Sequence, residues 1–181
     1  MNQAESRANQ DKVAYENNVD RATIASLIAD FAKEDGVSPA KARESLVAIG
    51  RPAVPFLIEV LTDDNKWVRW EAAKALSQIA DPAAAAAMAK ALEDKVFGVR
   101  WLAAEGLIAM VHQGLPALLQ ALIDRSESVW LREGAHHVLH DLAREDLGNV
   151  LRPVLMAMEH HDPSVEVPLA AQAALKALKG M

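Results

Sequence analysis

The sequence predicts an all-α protein, a solenoid of about five helical hairpins stacked in chain order. Three observations carry this prediction. Residues 67–81, WVRWEAAKALSQIAD, set Val68, Ala72, Ala75, Leu76 and Ile79 on one helical stripe. The pattern then returns. In GVRWLAAEGLIAMV (98–111), Val99, Arg100, Trp101, Ala103, Leu107 and Met110 stand 31 residues after Val68, Arg69, Trp70, Ala72, Leu76 and Ile79. In WLREGAHHVLHDLA (130–143), Leu131, Arg132, Ala135, Leu139 and Leu142 follow 32 residues later. Finally, the chain is rich in Ala, with only 4% aromatics, and has no run of alternating β-branched residues that would make a strand. A helical pattern repeated at this spacing marks supersecondary units that bury their apolar faces only by stacking.

In chain order, residues 1–19, MNQAESRANQDKVAYENNV, are polar and charged and read as a flexible tail ahead of a repeat domain over 20–181. Asp20 is placed to cap a helix over 21–34 with the apolar face Ile24, Leu27, Ile28 and Phe31, ended by Gly36. Ser38-Pro39, a cap residue followed by Pro in the first turn, starts SPAKARESLVAIG, with Ala42, Leu46 and Ile49 in register and Gly50 closing it. A second set of helices alternates with the first: PAVPFLIEVLTDD (52–64), PAAAAAMAKALED (82–94), LPALLQALIDR (115–125) and LGNVLRPVLMAMEHHD (147–162). Leu57 and Leu61 match Met88 and Leu92, then Leu118 and Leu122, and Asp63, Asp94 and Asp124 follow at the helix ends. Pro52, Pro82 and Pro116 fall in first turns, where a missing N–H costs little; Pro55 and Pro153 lie deeper and predict bends. VEVPLAAQAALKAL (165–178) supplies the fifth copy, with Ala171, Leu175 and Leu178 in register. The hairpins are placed at about 20–50, 52–80, 82–112, 115–144 and 147–178.

Composition bounds the function. There is no cysteine, hence no disulfide, thiolate metal site or cysteine nucleophile. The N-terminus has no apolar signal core, and no apolar run approaches the roughly 20 residues of a membrane span, so the expected compartment is the cytoplasm and no membrane is involved. A net charge of −6 argues against a general nucleic-acid binder.

If the Ala/Leu stripe is core, the two positions after each Arg face outward: Trp70 and Glu71, Trp101 and Leu102, Glu133 and Gly134. One turn on come Lys74, Glu105 and His137, while Trp67 and Trp130 match one another just before their helices. Aromatics at exposed, repeated positions are what protein interfaces use as anchors. Trp rings that pack sideways between repeats would give the same pattern, and one residue can do both. His136 and His140 share a helix face at i, i+4, a candidate metal pair that lacks further ligands. His136 also takes the second-Ala slot of the repeat, which suits a packed imidazole beside solvated His137 and His140.

The motif V-R-x-x-A-A-x-A-L-x-x-I, followed by a loop, Pro or Ala, and an Ala/Leu helix ending in Asp, resembles the short bacterial HEAT-like repeats of phycobilin lyases. The resemblance spans about residues 20–178 and is strongest over 66–144. It implies a right-handed superhelix whose Val-Arg helices line the concave side. It also implies an inter-repeat ladder in which Arg69, Arg100 and Arg132 pair with loop residues such as Asp63, Asp94 and Asp124. Pro39 and Pro168 stand where the outer repeats would carry the Arg, so the ladder stops inside the array. A period of 31 is shorter than the ~40–47 of eukaryotic HEAT repeats.

Three enzyme families resemble this architecture. Deoxyhypusine hydroxylase holds iron with His-Glu pairs directly after Val-Arg, but those slots here read Trp70-Glu71, Trp101-Leu102 and Glu133-Gly134. HEAT-like DNA glycosylases use a basic, aromatic groove, of which Trp70, Trp101 and Glu71 echo only the aromatics and the acid. Phycobilin lyases share the repeat type, without an independent sign of a tetrapyrrole pocket. No nucleophile motif or phosphate loop occurs. The sequence therefore points to a non-enzymatic scaffold that binds a protein or peptide and needs no cofactor. The alternatives are an accessory lyase- or chaperone-like protein handling a bound cofactor, and a DNA-repair type nucleic-acid binder.

Overall fold

A computed structural model describes residues 21–144, 147–159 and 163–180. The expected tail over 1–19 and the capping role of Asp20 lie outside these residues. Residues 21–29 form helix α1, extended by a tight turn over Asp30–Ala32. The others are α2 (Ser38–Ile49), α3 (Val54–Val60), α4 (Lys66–Ile79), α5 (Ala85–Ala91), α6 (Phe97–Ala109), α7 (Leu115–Arg125), α8 (Val129–Leu142), α9 (Gly148–Glu159) and α10 (Pro163–Leu178). No strand occurs among the described residues.

The helices pair into hairpins and the hairpins stack, giving an all-α solenoid. Helices α2, α4, α6 and α8 lie side by side in one layer, with α5 and α7 side by side behind them. The repeated stripe is the core: Ala72, Ala103 and Ala135 are fully buried, as are Leu76, Leu107 and Leu139. Small residues let the helices of the first layer approach closely. Gly106 marks the tightest point, since a Cβ there would lie 2.3 Å from Met88 Cε and 3.2 Å from Ser77 Cα. A methionine tip can swing aside, whereas backbone cannot. Gly106→Val is therefore expected to destabilise the fold by about 1–3 kcal/mol, read as a lower thermal midpoint by circular dichroism.

Local details depart from the sequence reading in two places, at Asp35 and at Pro55. The start of α2 is held by Asp35 rather than by Ser38: its carboxylate accepts from the backbone N–H of Val37 and of Ser38 and from the Ser38 hydroxyl, at 2.9, 2.7 and 2.6 Å. The Ser38 hydroxyl and backbone bonds keep the Asp35 carboxyl below its ordinary pKa. Pro55 falls in the first turn of α3, because a tight turn over Arg51–Ala53 precedes that helix, so it bends nothing. Gly50, at φ 71° and ψ −133°, closes α2 in a conformation that a side chain would oppose.

The last hairpin is set differently from the others. Helix α9 packs on α8, and α10 packs on α7 and α9. The fifth copy of the pattern therefore lies over the second layer instead of continuing the Val-Arg layer. Its buried stripe is Val167, Ala171 and Ala174, with Leu175 and Leu178 only half-buried. Pro168 occupies the Arg slot of this copy, so no guanidinium there can tie α10 to the preceding loop.

Candidate functional site

The loop before each Val-Arg helix and the Arg that follows form one recurrent unit. Asp63 and Asp94 each fold back in a tight turn, accepting from the N–H of Asn65 and of Val96 at 2.7 Å. Six residues on, the Arg donates to the loop carbonyl: Arg69 to Asp63 at 2.8 Å, Arg100 to Asp94 at 2.8 Å, Arg132 to Ser126. Arg69 also reaches across to the next repeat, where Nε and Nη2 donate to the two oxygens of Asp94 at 2.6 and 3.1 Å. It is only 4% exposed, and the Asp94 carboxylate raises its pKa further.

The position equivalent to Asp63 and Asp94 in the third repeat is thus Ser126, not Asp124. Asp124 lies exposed, two residues earlier, and accepts from the Gln120 side-chain amide at 2.9 Å. Arg100 consequently has no loop carboxylate to reach. Its guanidinium instead lies over the Trp130 ring, 4.7 Å from the centroid, and 5.6 Å from that of Phe97.

Around Arg100 the chain assembles an open cleft of about 130 Å³ between α6 and α8, lined by Phe97, Arg100, Trp101, Trp130, Glu133 and His137 among others. Phe97, Trp101 and Trp130 are 67%, 47% and 44% exposed. Trp101 stacks on His137 at 4.8 Å between centroids, and His137 Nε2 is 3.0 Å from Glu105 Oε1. Five of the residues singled out in the sequence, Trp101, Glu105, Trp130, Glu133 and His137, therefore meet in one place. Phe97 was missed, although it sits one turn before Trp101 on the same helix, a spacing visible in the sequence. Arg100 was assigned only a ladder role.

The other candidates lie elsewhere. Trp70 is half-buried and turned sideways onto the next repeat, where a Cβ at Gly98 would be 3.1 Å from its Cδ1. Lys74 Nζ lies over its ring at 4.6 Å, and Lys66 Nζ over exposed Trp67 at 5.0 Å. Leu102 is half-buried against the core. Glu71 is not an outward residue: it is buried and accepts from Arg43 Nη1 at 2.5 Å. Trp67, Trp70 and Glu71 line a separate cavity of about 430 Å³ with Phe31 and Pro39. His136 and His140 stack with centroids 6.1 Å apart, and His136 is 3.9 Å from Glu159. No group of three metal-ligating side chains comes together among the described residues. Likewise, no single described helix is long and apolar enough to cross a membrane.

A family profile described as HEAT repeats matches residues 18–108, half of the chain. The chain is a HEAT-repeat protein. Among curated proteins none matches this HEAT-repeat chain. Among solved structures, it is similar to a chain in the complex of CpcE and CpcF of phycocyanin lyase from Nostoc sp. PCC7120. That likeness has a TM-score of 0.60 at 25% identity and covers 87% of this HEAT-repeat chain and 98% of the other. An engineered protein matches at a TM-score of 0.44 and 21% identity, covering 90% of this chain and 81% of that one.

Proposed function

We propose that this HEAT-repeat chain is a non-enzymatic scaffold that binds a protein or peptide through the cleft between α6 and α8, on the concave side of the array. The observation that carries the reading is the gathering of Phe97, Trp101 and Trp130, all exposed, around one guanidinium. Large aromatic faces left in water cost free energy that a partner recovers by covering them, and Trp and Arg are the residues that dominate such interfaces. The structural neighbour supports a protein partner, since CpcE and CpcF form a complex with each other. The net charge of −6 speaks against nucleic acid as the partner.

The test is quantitative capture from native lysate with the full chain, wild type beside Trp101→Ala/Trp130→Ala, after both proteins are shown to melt alike. Specifically captured proteins are expected to fall at least about tenfold with the variant. Equal capture by both would overturn the reading.

The same neighbour favours a second reading, an accessory protein of lyase or chaperone type that handles a bound cofactor. An absorbance scan of the chain purified from its native source separates the two. A visible band that stays with the protein through gel filtration supports the cofactor reading, and its absence leaves the scaffold reading in place.

A further inference from the structure

The two inner Arg residues of the array occupy equivalent positions but have different partners. Arg69 directs Nε and Nη2 to the carboxylate of Asp94, one repeat further on, and Nη1 to the carbonyls of Asp63 and Asp64. Arg100 should find its carboxylate one repeat beyond Asp94, and there the chain carries Ser126. The Ser126 hydroxyl is turned away, donating to the Ser164 carbonyl. A guanidinium has five N–H donors, of which Arg100 uses one Nη1 donor, on the Asp94 carbonyl. Among the described residues no carboxylate oxygen lies within ion-pair distance of it. The rings of Trp130 and Phe97 hold the cation in place by their π faces but accept no in-plane hydrogen bond.

Resting on the docking reading above, we infer that the cleft takes a single acidic side chain of a peptide, flanked by apolar residues. The partner's carboxylate fills the place that Asp94 fills for Arg69, forming charge-assisted bonds to the free edge of the guanidinium. The flanking apolar side chains cover Phe97, Trp101 and Trp130. Two acidic groups limit the preference to one acid. Glu105 is engaged by His137, and Glu133 stands on the cleft rim, where it repels a second carboxylate. Electrostatic complementarity of this kind sets specificity more than total affinity.

The experiment selects short random peptides displayed on phage against the full chain and measures the synthesised winners by titration calorimetry, a readout that does not depend on the cleft tryptophans. The expected winners carry one Asp or Glu beside apolar residues. Their affinity falls about tenfold or more with Arg100→Gln. It falls similarly when the peptide acid is changed to its amide against the wild-type protein, a comparison that does not depend on any variant folding. Winners that lack an acid, that tolerate both changes, or that fail to emerge overturn the inference. The docking reading has its own readout: if binding survives Arg100→Gln but is lost with Trp101→Ala/Trp130→Ala, the cleft is the docking site and only the acid preference falls. If binding is indifferent to all of these changes, the docking reading falls as well.

Discussion

Asp94→Ala is expected to lower the unfolding free energy by about 2–3 kcal/mol, read as a fall of roughly 1 M in the urea midpoint. Asp94 is the only described carboxylate that reaches Arg69, and both side chains are nearly removed from water. Deleting the acid leaves a buried cation, which costs more than the pair contributes when intact. The Asp63 and Asp64 carbonyls still accept from Nη1, which holds the loss below the upper end for a broken buried pair. A second loss adds to the first. Asp94 accepts from the Val96 N–H and so closes the turn that starts α6. In a stacked array stability is approximately a sum of repeat and interface terms, and this interaction sits on the interface between the α3–α4 and α5–α6 hairpins. The decisive control is Asp124→Ala. If the ladder ran through Asp124 it would cost as much. Exposed and bonded only to Gln120, it is expected to stay within about 0.5 kcal/mol of wild type.

That contrast shows where the sequence was legible. Each hairpin solves the same packing problem, so the small residues at 72, 103 and 135 and the large ones at 76, 107 and 139 recur and can be aligned by eye. Loop positions do not pack on a repeated surface, and the spacing there drifts. Counting forward from Leu122 finds Asp124, whereas counting back six residues from Arg132, the reach of a guanidinium to its own loop, finds Ser126. The long-range placement of α10 on α7 left no local trace, because its residues 171, 175 and 178 fit the repeated stripe as well as the one actually buried. The cleft between α6 and α8 was half visible. Its Trp residues stood out by repetition, but the freedom of Arg100 followed only from a missing partner one repeat away.

Glu71→Ala is expected to cost more than Asp94→Ala, about 3–5 kcal/mol. Helical periodicity placed Glu71 outside because it follows the Val-Arg pair. It is buried because α2 carries Arg43 opposite it, where the next two copies have Ala73 and Ala104, and a long side chain crosses between the two helices. Arg43 has no other described partner, and its Nε is already buried without one. Removing the carboxylate therefore leaves the whole guanidinium unpaired at the junction of the first two hairpins. Because the damage is local to that junction, backbone amides of α2 should exchange faster before the rest of the array loosens. Arg43→Met/Glu71→Leu separates this account from a surface role. Replacing both charges with apolar groups of similar size is expected to restore stability to within about 1 kcal/mol of wild type, since neither ion is then left to be desolvated alone. A residue that merely faced solvent would give a near-neutral single variant, within about 0.5 kcal/mol, and would gain nothing from the second substitution. Thermal and urea unfolding of the two variants beside wild type distinguish these outcomes directly. The placement of Glu71 as a structural tie between α2 and α4 stands or falls on the difference.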